Sequence, residues 1–425
     1  MKHEVFQNLG ETCDSARLPN GLTVRVVRKP GFARKYAFLA VDFGSIDTAF
    51  SCGGETVRVP DGIAHYLEHK MFDLPDANAM NLFAAAGGSP NAFTSYGMTA
   101  YHFSCTENFE ENLRTLLRMV ATPYFTDESV EKERGIIAQE IRMYEDSAQS
   151  RLYEDLFGAL FAHHPVRVPI AGTVESIAEI TPELLYRCHR AFYRPENMVL
   201  CVVGDVEPQR VAELAQELFP RGTEALPVRD YGEAEGLLPA KKSVTRRMSV
   251  SMPTFSLGFK CPAPPMGMER MRREIIGDLA ADLLAGESSR LYIDLYDRGL
   301  VDADFSAGYE SIKDACLFSA DGDSRDPQAV AQELLRELER MSREGFDPDA
   351  FRRLKKSALG RRMRDLDSFE SICYRICAYY FDGVDYFRFP EAYASVQPED
   401  VQSFLTDVLR PENAAMAVVA PKEGL

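Results

Sequence analysis

The sequence predicts an α+β fold built twice, with helices packed on one face of a sheet in each copy. Three observations carry this. Strand-like and helix-like segments are mixed along the chain, 425 residues exceed what a single core usually supports, and one helix-turn-strand pattern occurs in both halves. The pattern begins at Thr181-Pro182-Glu183, continues through a helical stretch to Tyr193-Arg194-Pro195-Glu196-Asn197, and ends in the apolar run Met198 to Gly204. It recurs at a constant offset as Gln397-Pro398-Glu399, a helix, Leu409-Arg410-Pro411-Glu412-Asn413 and Ala414 to Ala420. A repeat of this length is a domain-scale duplication and not a short solenoid period. In each copy the proline-bearing turn ends a helix and feeds a strand, and the strand reads as buried because it lacks polar alternation.

Taken in order, Leu22 to Arg28 and Tyr36 to Phe43 are expected to be strands on their β-branched and aromatic content. Gly62 to Phe72 is expected to be a helix: Asp61 can cap its start, Ala64, Leu67, Met71 and Phe72 form an apolar flank, and no proline interrupts it. Asp76 to Ala86 reads as a second helix, and Asn91 to Cys105 as a hairpin turning at Gly97. Helices follow at Glu107 to Ala121, Asp127 to Tyr144 and Ser150 to Phe161. Arg221 to Arg247, rich in glycine, proline and charge, reads as a linker. Beyond it, strands are expected near Ser249 to Lys260 and helices near Met268 to Ala285 and Pro327 to Glu344. The expected domains are therefore 1–220 and 248–425, joined by 221–247.

A hydrophobic content of 45% permits full cores, and a formal charge of −17 argues against nucleic acid or an anionic membrane as partner. Met1 to Val27 has no apolar run of signal-peptide length, and no later segment reaches membrane-spanning length, so the chain reads as cytoplasmic. Nine cysteines without paired spacing suit a reducing compartment, and Cys373 and Cys377 read as core packing.

The chemistry centres on His65-Tyr66-Leu67-Glu68-His69. Two imidazoles four apart share a helical face and can grip one metal ion, for which zinc fits the ligand set, and Glu68 sits beside them. Two histidines leave a tetrahedral zinc short of a protein ligand, and a third must be acidic or His. Glu133 and Glu140 lie seven apart near one face of the long predicted helix, with Ile136, Ile137 and Ile141 making apolar contacts; one can ligate while the other supports.

With this glutamate pair the chain resembles the pitrilysin or insulinase zinc peptidases, which carry the inverted motif His-x-x-Glu-His and a distal segment like Glu-Arg-x-x-(Val/Ile)-x-x-Glu. Glu133-Arg134-Gly135-Ile136-Ile137-Ala138-Gln139-Glu140 matches that segment. The resemblance runs from Leu18-Pro19-Asn20-Gly21-Leu22 onward and includes Gly44-Ser45-Ile46-Asp47 and Gln139-Glu140-Ile141-Arg142-Met143-Tyr144. It implies two homologous α/β-roll domains, each an antiparallel-rich sheet with helices packed on it. It further implies that His65, His69 and Glu140 hold one Zn2+ per chain, that Glu133 supports a ligand, and that Glu68 is the general base. Gly88 to Ser95 followed by Thr99-Ala100-Tyr101 resembles the family strand that pairs with substrate backbone, which implies peptide binding at Asn91, Ala92 and Phe93. Asn91 could also hydrogen-bond a polarised carbonyl. His102, His163, His164 and His189 lack ligand spacing and read as structural.

The second half departs from the family. It has no His, and reads Asp278-Leu279-Ala280-Ala281-Asp282-Leu283-Leu284 where a zinc helix would fall. Active members usually supply an Arg and, seven residues later, a Tyr after a helix opening with Ser-Ser-Arg-Leu. Following Ser288-Ser289-Arg290-Leu291 this chain places Tyr296 where the Arg is expected and Val301 or Asp302 where the Tyr is expected, with Arg298 as a local substitute after a shift. Half-length members resembling mitochondrial processing peptidase work as unequal pairs. The resemblance therefore implies a metallopeptidase acting on short flexible peptides, completed by a homologous partner subunit that supplies the Arg and Tyr; a homodimer is the other arrangement. The alternative function is a zinc-bound but silent structural or peptide-binding subunit.

Overall fold

The run Met198–Gly204, marked by its sequence as a buried strand, lies inside a seven-stranded sheet with every residue buried. The computed structural model describes residues 1–219 and 225–422. In chain order the strands of its first part are β1 (Lys2–Phe6), β2 (Glu11–Arg17), β3 (Thr23–Arg28), β4 (Lys35–Val41), β5 (Ala49–Cys52), β6 (Glu55–Arg58), β7 (Ser89–Thr94), β8 (Thr99–Cys105), β9 (Met198–Gly204) and β10 (Val228–Arg229). The large sheet runs β1-β2-β3-β9-β4-β8-β7, antiparallel throughout except for the parallel pair β3 and β9. Strands β10, β5 and β6 form a small separate sheet.

Later in the chain β11 (Ser243–Met248), β12 (Thr254–Cys261), β13 (Ser306–Ile312), β14 (Ala315–Asp323) and β15 (Ala414–Pro421) form a sheet in the order β11-β15-β12-β14-β13. Its parallel pair is β11 and β15. The order and directions repeat β3-β9-β4-β8-β7, and β9 and β15 each follow an Arg-Pro-Glu-Asn turn. The duplication read from sequence is thus a duplication of sheet topology, in an α+β fold that is mostly antiparallel.

Packing divides the chain into two units that are not contiguous in sequence. One comprises Met1–Ile141, Pro169–Tyr231 and Met363–Phe387; the other comprises Arg142–Val168, Gly232–Arg362 and the chain from Arg388 onward. The first five helices are α1 (Ile63–Lys70), α2 (Ala79–Ala85), α3 (Phe109–Ala121), α4 (Asp127–Asp146) and α5 (Ala148–Leu160). In the first unit Val24, Val26, Leu39, Tyr101, Leu200 and Val202 point to one sheet face and share a core with α1, α3 and α4. On the opposite face Phe38, Ala40, Cys201 and Val203 are also buried. The helix Phe369–Phe381 covers it, with Cys373 Sγ 3.7 Å from the Cys201 carbonyl and the Tyr380 and Thr23 hydroxyls 2.8 Å apart. In the second unit α5 plays this part over β12 and β15, and Gly258 makes room for it: a Cβ there would meet Leu156 Cδ1 at 2.8 Å. A strand apolar on both faces needs cover on both, and each half of the chain contributes one covering helix to the other unit.

Of the stretch 221–247 read as a linker, residues 221–224 lie outside the described residues, Val228–Arg229 pairs with β5, and Ser243–Met248 is the edge strand β11. Arg229 and Tyr231 are tied down by the fully buried Asp47, at 2.9 and 3.1 Å.

One local expectation is corrected. Asp61 does not cap α1; the N-cap is Gly62, at φ 87°, and no side chain caps the helix. A Cβ on Gly62 would lie 2.3 Å from the Ala171 carbonyl oxygen, so the entry to α1 is set by a backbone approach that only glycine allows. Gly62→Ala is therefore expected to cost at least about 1 kcal/mol from the left-handed backbone, and more from the carbonyl contact. Urea denaturation checks this, and an unchanged midpoint would refute it.

Candidate metal centre

α1 is fastened to the start of α4 before any ligand is considered. The buried Tyr66 hydroxyl donates to the Val130 carbonyl, and Lys70, 1% exposed, donates to the Ser129 carbonyl at 3.2 Å while pairing with Asp73. These contacts hold one face of α1 toward α4. On that face the His65 and His69 rings lie with centroids 4.7 Å apart. Glu140 meets both: Oε1 is 3.5 Å from His65 Nε2, and Oε2 is 3.5 Å from His69 Nε2.

Such separations exceed ordinary hydrogen bonds. They match the spacing of about 3.3 Å between two ligand atoms that each sit about 2.0–2.1 Å from a tetrahedral zinc. The ligand atoms of His65, His69 and Glu140 all lie within 4.8 Å of one another, and among the described residues no other group of three meets that test. Two imidazoles and a carboxylate suit zinc chemically, so the residues present fit the ion.

Glu133, about two turns before Glu140 on the same face of α4, accepts from His69 Nδ1 at 2.9 Å. This bond holds the proton on Nδ1 and leaves the Nε2 lone pair available to a metal ion. Burial pushes the His69 imidazole down, but the Glu133 bond and the charges of Glu68, Glu133 and Glu140 outweigh it, and the net shift is upward. Glu68 is outside the ligand group and 7% exposed. Burial raises its carboxyl, opposed by His65 and by the Thr94 hydroxyl, which donates to Oε2 at 2.6 Å.

β7 is the last strand in the sheet order, so its outer edge has no partner strand among the described residues. Ala92 packs toward the core that includes α1, and Thr94 reaches Glu68 on the same side. Asn91 and Phe93 point to the other face, where Phe93 stands 6.0 Å from the rings of both Phe38 and Tyr374. The Asn91 side chain accepts from the Ala92 N–H at 2.9 Å. What β7 offers on the side of Glu68 is therefore main chain, the Ala92 methyl and the Thr94 hydroxyl. Sequence reasoning gave Thr94 no role; its shared parity with Ala92 was the available signal.

Three of the remaining histidines are satisfied elsewhere, and His163 is exposed. His102 Nδ1 is 2.7 Å from the Tyr36 hydroxyl, and His164 Nε2 is 2.9 Å from Asp314. His189 donates to the Val120 carbonyl, and burial lowers it to about 4. In the second unit Ser289 caps the helix Arg290–Asp297. Tyr296 is 52% exposed and stacks on Tyr292, and Val301 is buried. Arg298 is held by Asp294 at 2.7 Å and Glu333 at 3.0 Å.

A duplicated sheet whose first copy alone carries paired histidines and a distal glutamate defines a protein with one candidate site for a divalent ion. Residues 55–174 match the insulinase family, peptidase family M16, and residues 179–358 match the peptidase M16 inactive domain. The chain belongs to the M16 zinc protease family. It is 36% identical over 424 residues to the uncharacterized zinc protease YmfH of Bacillus subtilis, covering 98% of each chain. An M16-like peptidase from Alicyclobacillus acidocaldarius superposes with a TM-score of 0.93 at 34% identity, over 98% of this chain and 100% of that one. Pitrilysin shares the fold, with a TM-score of 0.76 at 19% identity, and this chain covers 45% of its length.

Glu133→Gln is expected to lower zinc affinity by roughly 10- to 100-fold through loss of the charged partner of His69. Competition with a chromogenic chelator measures it, and an affinity equal to wild type would remove Glu133 from the site.

Proposed function

We propose that this chain is the catalytic subunit of a zinc metallopeptidase that hydrolyses short, flexible peptides. The observation that carries the reading is the convergence of His65, His69 and Glu140 at ligand spacing beside a buried glutamate, Glu68, that is not part of the ligand group. In this reading His65, His69 and Glu140 hold one zinc and Glu133 orients His69. Zinc, when bound, acidifies water and polarises the peptide carbonyl. Glu68 takes the proton of the attacking water and passes it to the leaving amine. The outer edge of β7 at Asn91, Ala92 and Phe93 pairs with an extended peptide through main-chain hydrogen bonds, with the Ala92 main chain facing outward and the Asn91 side chain already bonded to its N–H. The charge of −17 weakly favours basic or neutral peptides over acidic ones.

The Arg and Tyr that active relatives supply come, in our reading, from a homologous half-length partner. Tyr296 stands at the expected Arg position, and Arg298 is already committed to Asp294 and Glu333. A homodimer would repeat the same deficit, which favours an unequal pair. Nine free cysteines support a reducing, cytoplasmic setting, and no helix among the described residues is long and apolar enough to cross a membrane.

Glu68→Gln is expected to abolish turnover of a quenched fluorescent peptide while keeping stoichiometric zinc; a variant that still cleaves removes Glu68 as the base. Chelation is expected to abolish turnover and zinc to restore it. Assayed alone and with the homologous chain, cleavage should require both. Full activity of the single chain would sink the partner requirement, and zinc binding with no cleavage in either setting would favour the silent peptide-binding role.

A further inference from the structure

The Glu68 carboxylate is oriented from outside its own helix. Its neighbours in the site are already fixed: Glu133 by His69 Nδ1, and Glu140 by its approach to both imidazoles. Glu68 has a different support, the Thr94 hydroxyl, at 2.6 Å from Oε2. We propose that Thr94 is a positioning residue for Glu68, holding Oε2 so that Oε1 is the oxygen presented for proton transfer. This inference rests on the reading of Glu68 as general base.

The donor assignments around Thr94 are determined by its surroundings. Thr99, fully buried and the cross-strand partner of Thr94, donates its hydroxyl to the Phe43 carbonyl at 2.8 Å. Its oxygen lies 3.5 Å from Thr94 Oγ1, much farther than the carboxylate. A carboxylate only accepts, so the Thr94 proton goes to Glu68. Terminal carboxylate torsions are broad and nearly two-fold, so an unsupported glutamate would sample several orientations; a charge-assisted bond from a β-branched residue with a stiff χ1 selects one.

Thr94 is itself held. It is the last residue of β7 and opens the turn that returns to β8, closed by Ser95 N–H to the Met98 carbonyl at 2.8 Å. The turn is pinned from outside by Ser45 N–H to the Ser95 carbonyl at 3.1 Å and Ile46 N–H to the Tyr96 carbonyl at 3.2 Å. The strand whose free edge would register the peptide therefore also carries the group that aims the base. Scissile bond and proton acceptor share one rigid reference, and an error of about 1 Å between such groups can cost on the order of a hundredfold in rate.

The test compares Thr94→Val and Thr94→Ser with wild type and Glu68→Gln in the zinc-loaded protein, with the partner chain where turnover requires it, on a quenched fluorescent peptide. Thr94→Val keeps the β-branched shape and removes the donor. It is expected to lower kcat by about 10- to 100-fold with KM within about twofold and zinc stoichiometry unchanged, while Thr94→Ser recovers most of kcat. A Thr94→Val enzyme with wild-type kcat, or a Thr94→Ser enzyme no better than Thr94→Val, overturns the proposal. Crystal structures of wild type and Thr94→Val give a readout free of turnover: the Glu68 carboxylate should lose its single orientation in the variant, and an unmoved carboxylate overturns the proposal whatever the assay shows. Failure of the base reading is distinguishable, because Glu68→Gln would then cleave as wild type does.

Discussion

Three carboxylates and two imidazoles converge in the first unit, and that charge balance is the constraint the surrounding structure serves. Glu68, Glu133 and Glu140 stand close together in a largely buried place, where like charges are costly unless a cation or a set of donors offsets them. Every strong contact nearby contributes to that offset or to the alignment it needs. Lys70 is buried with Asp73 and the Ser129 carbonyl, Tyr66 reaches Val130, His69 meets Glu133, and Thr94 meets Glu68. A divalent ion held by His65, His69 and Glu140, as proposed, would offset most of that charge.

Duplication gave the chain two copies of one sheet, and the copies diverged in what their helices carry. The first has the paired histidines; the second has Asp278 to Leu284 in the corresponding helix and no histidine at all. What both retain is the twice-buried strand after the Arg-Pro-Glu-Asn turn. Since β9 and β15 are apolar on both sides, each sheet must be covered on both, and the covering helices Phe369–Phe381 and α5 come from the opposite half of the sequence. The hydrophobic demand of two strands thus explains why neither packing unit is a contiguous stretch.

An open sheet edge is ordinarily a liability, because its unpaired main-chain groups invite other strands. Among the described residues β7 keeps such an edge in the unit that carries the candidate metal centre, and the alternation of its side chains separates two duties. Phe93 anchors the strand among Phe38, His102 and Tyr374, while Thr94 turns to the carboxylate of Glu68.

The two pairs that make up the candidate centre were legible in the sequence because each depends on distances within one helix, whereas which glutamate meets both imidazoles is set by how α4 lies against α1. His65 and His69 four apart, and Glu133 and Glu140 seven apart, fall on one face by helical periodicity alone, and the duplication was legible because its turns kept their proline and asparagine. Other features were decided only by tertiary structure. Gly62 in place of Asp61 at the start of α1 depends on the Ala171 carbonyl, more than a hundred residues away, and the cover on the second sheet face depends on a helix from the far half of the chain. The face to which Asn91 points, and the partnership of Thr94 with Glu68, depend on which side of the sheet α1 occupies. Periodicity fixes neighbours along one element; which side chains meet between elements is set by packing, and no local pattern encodes it.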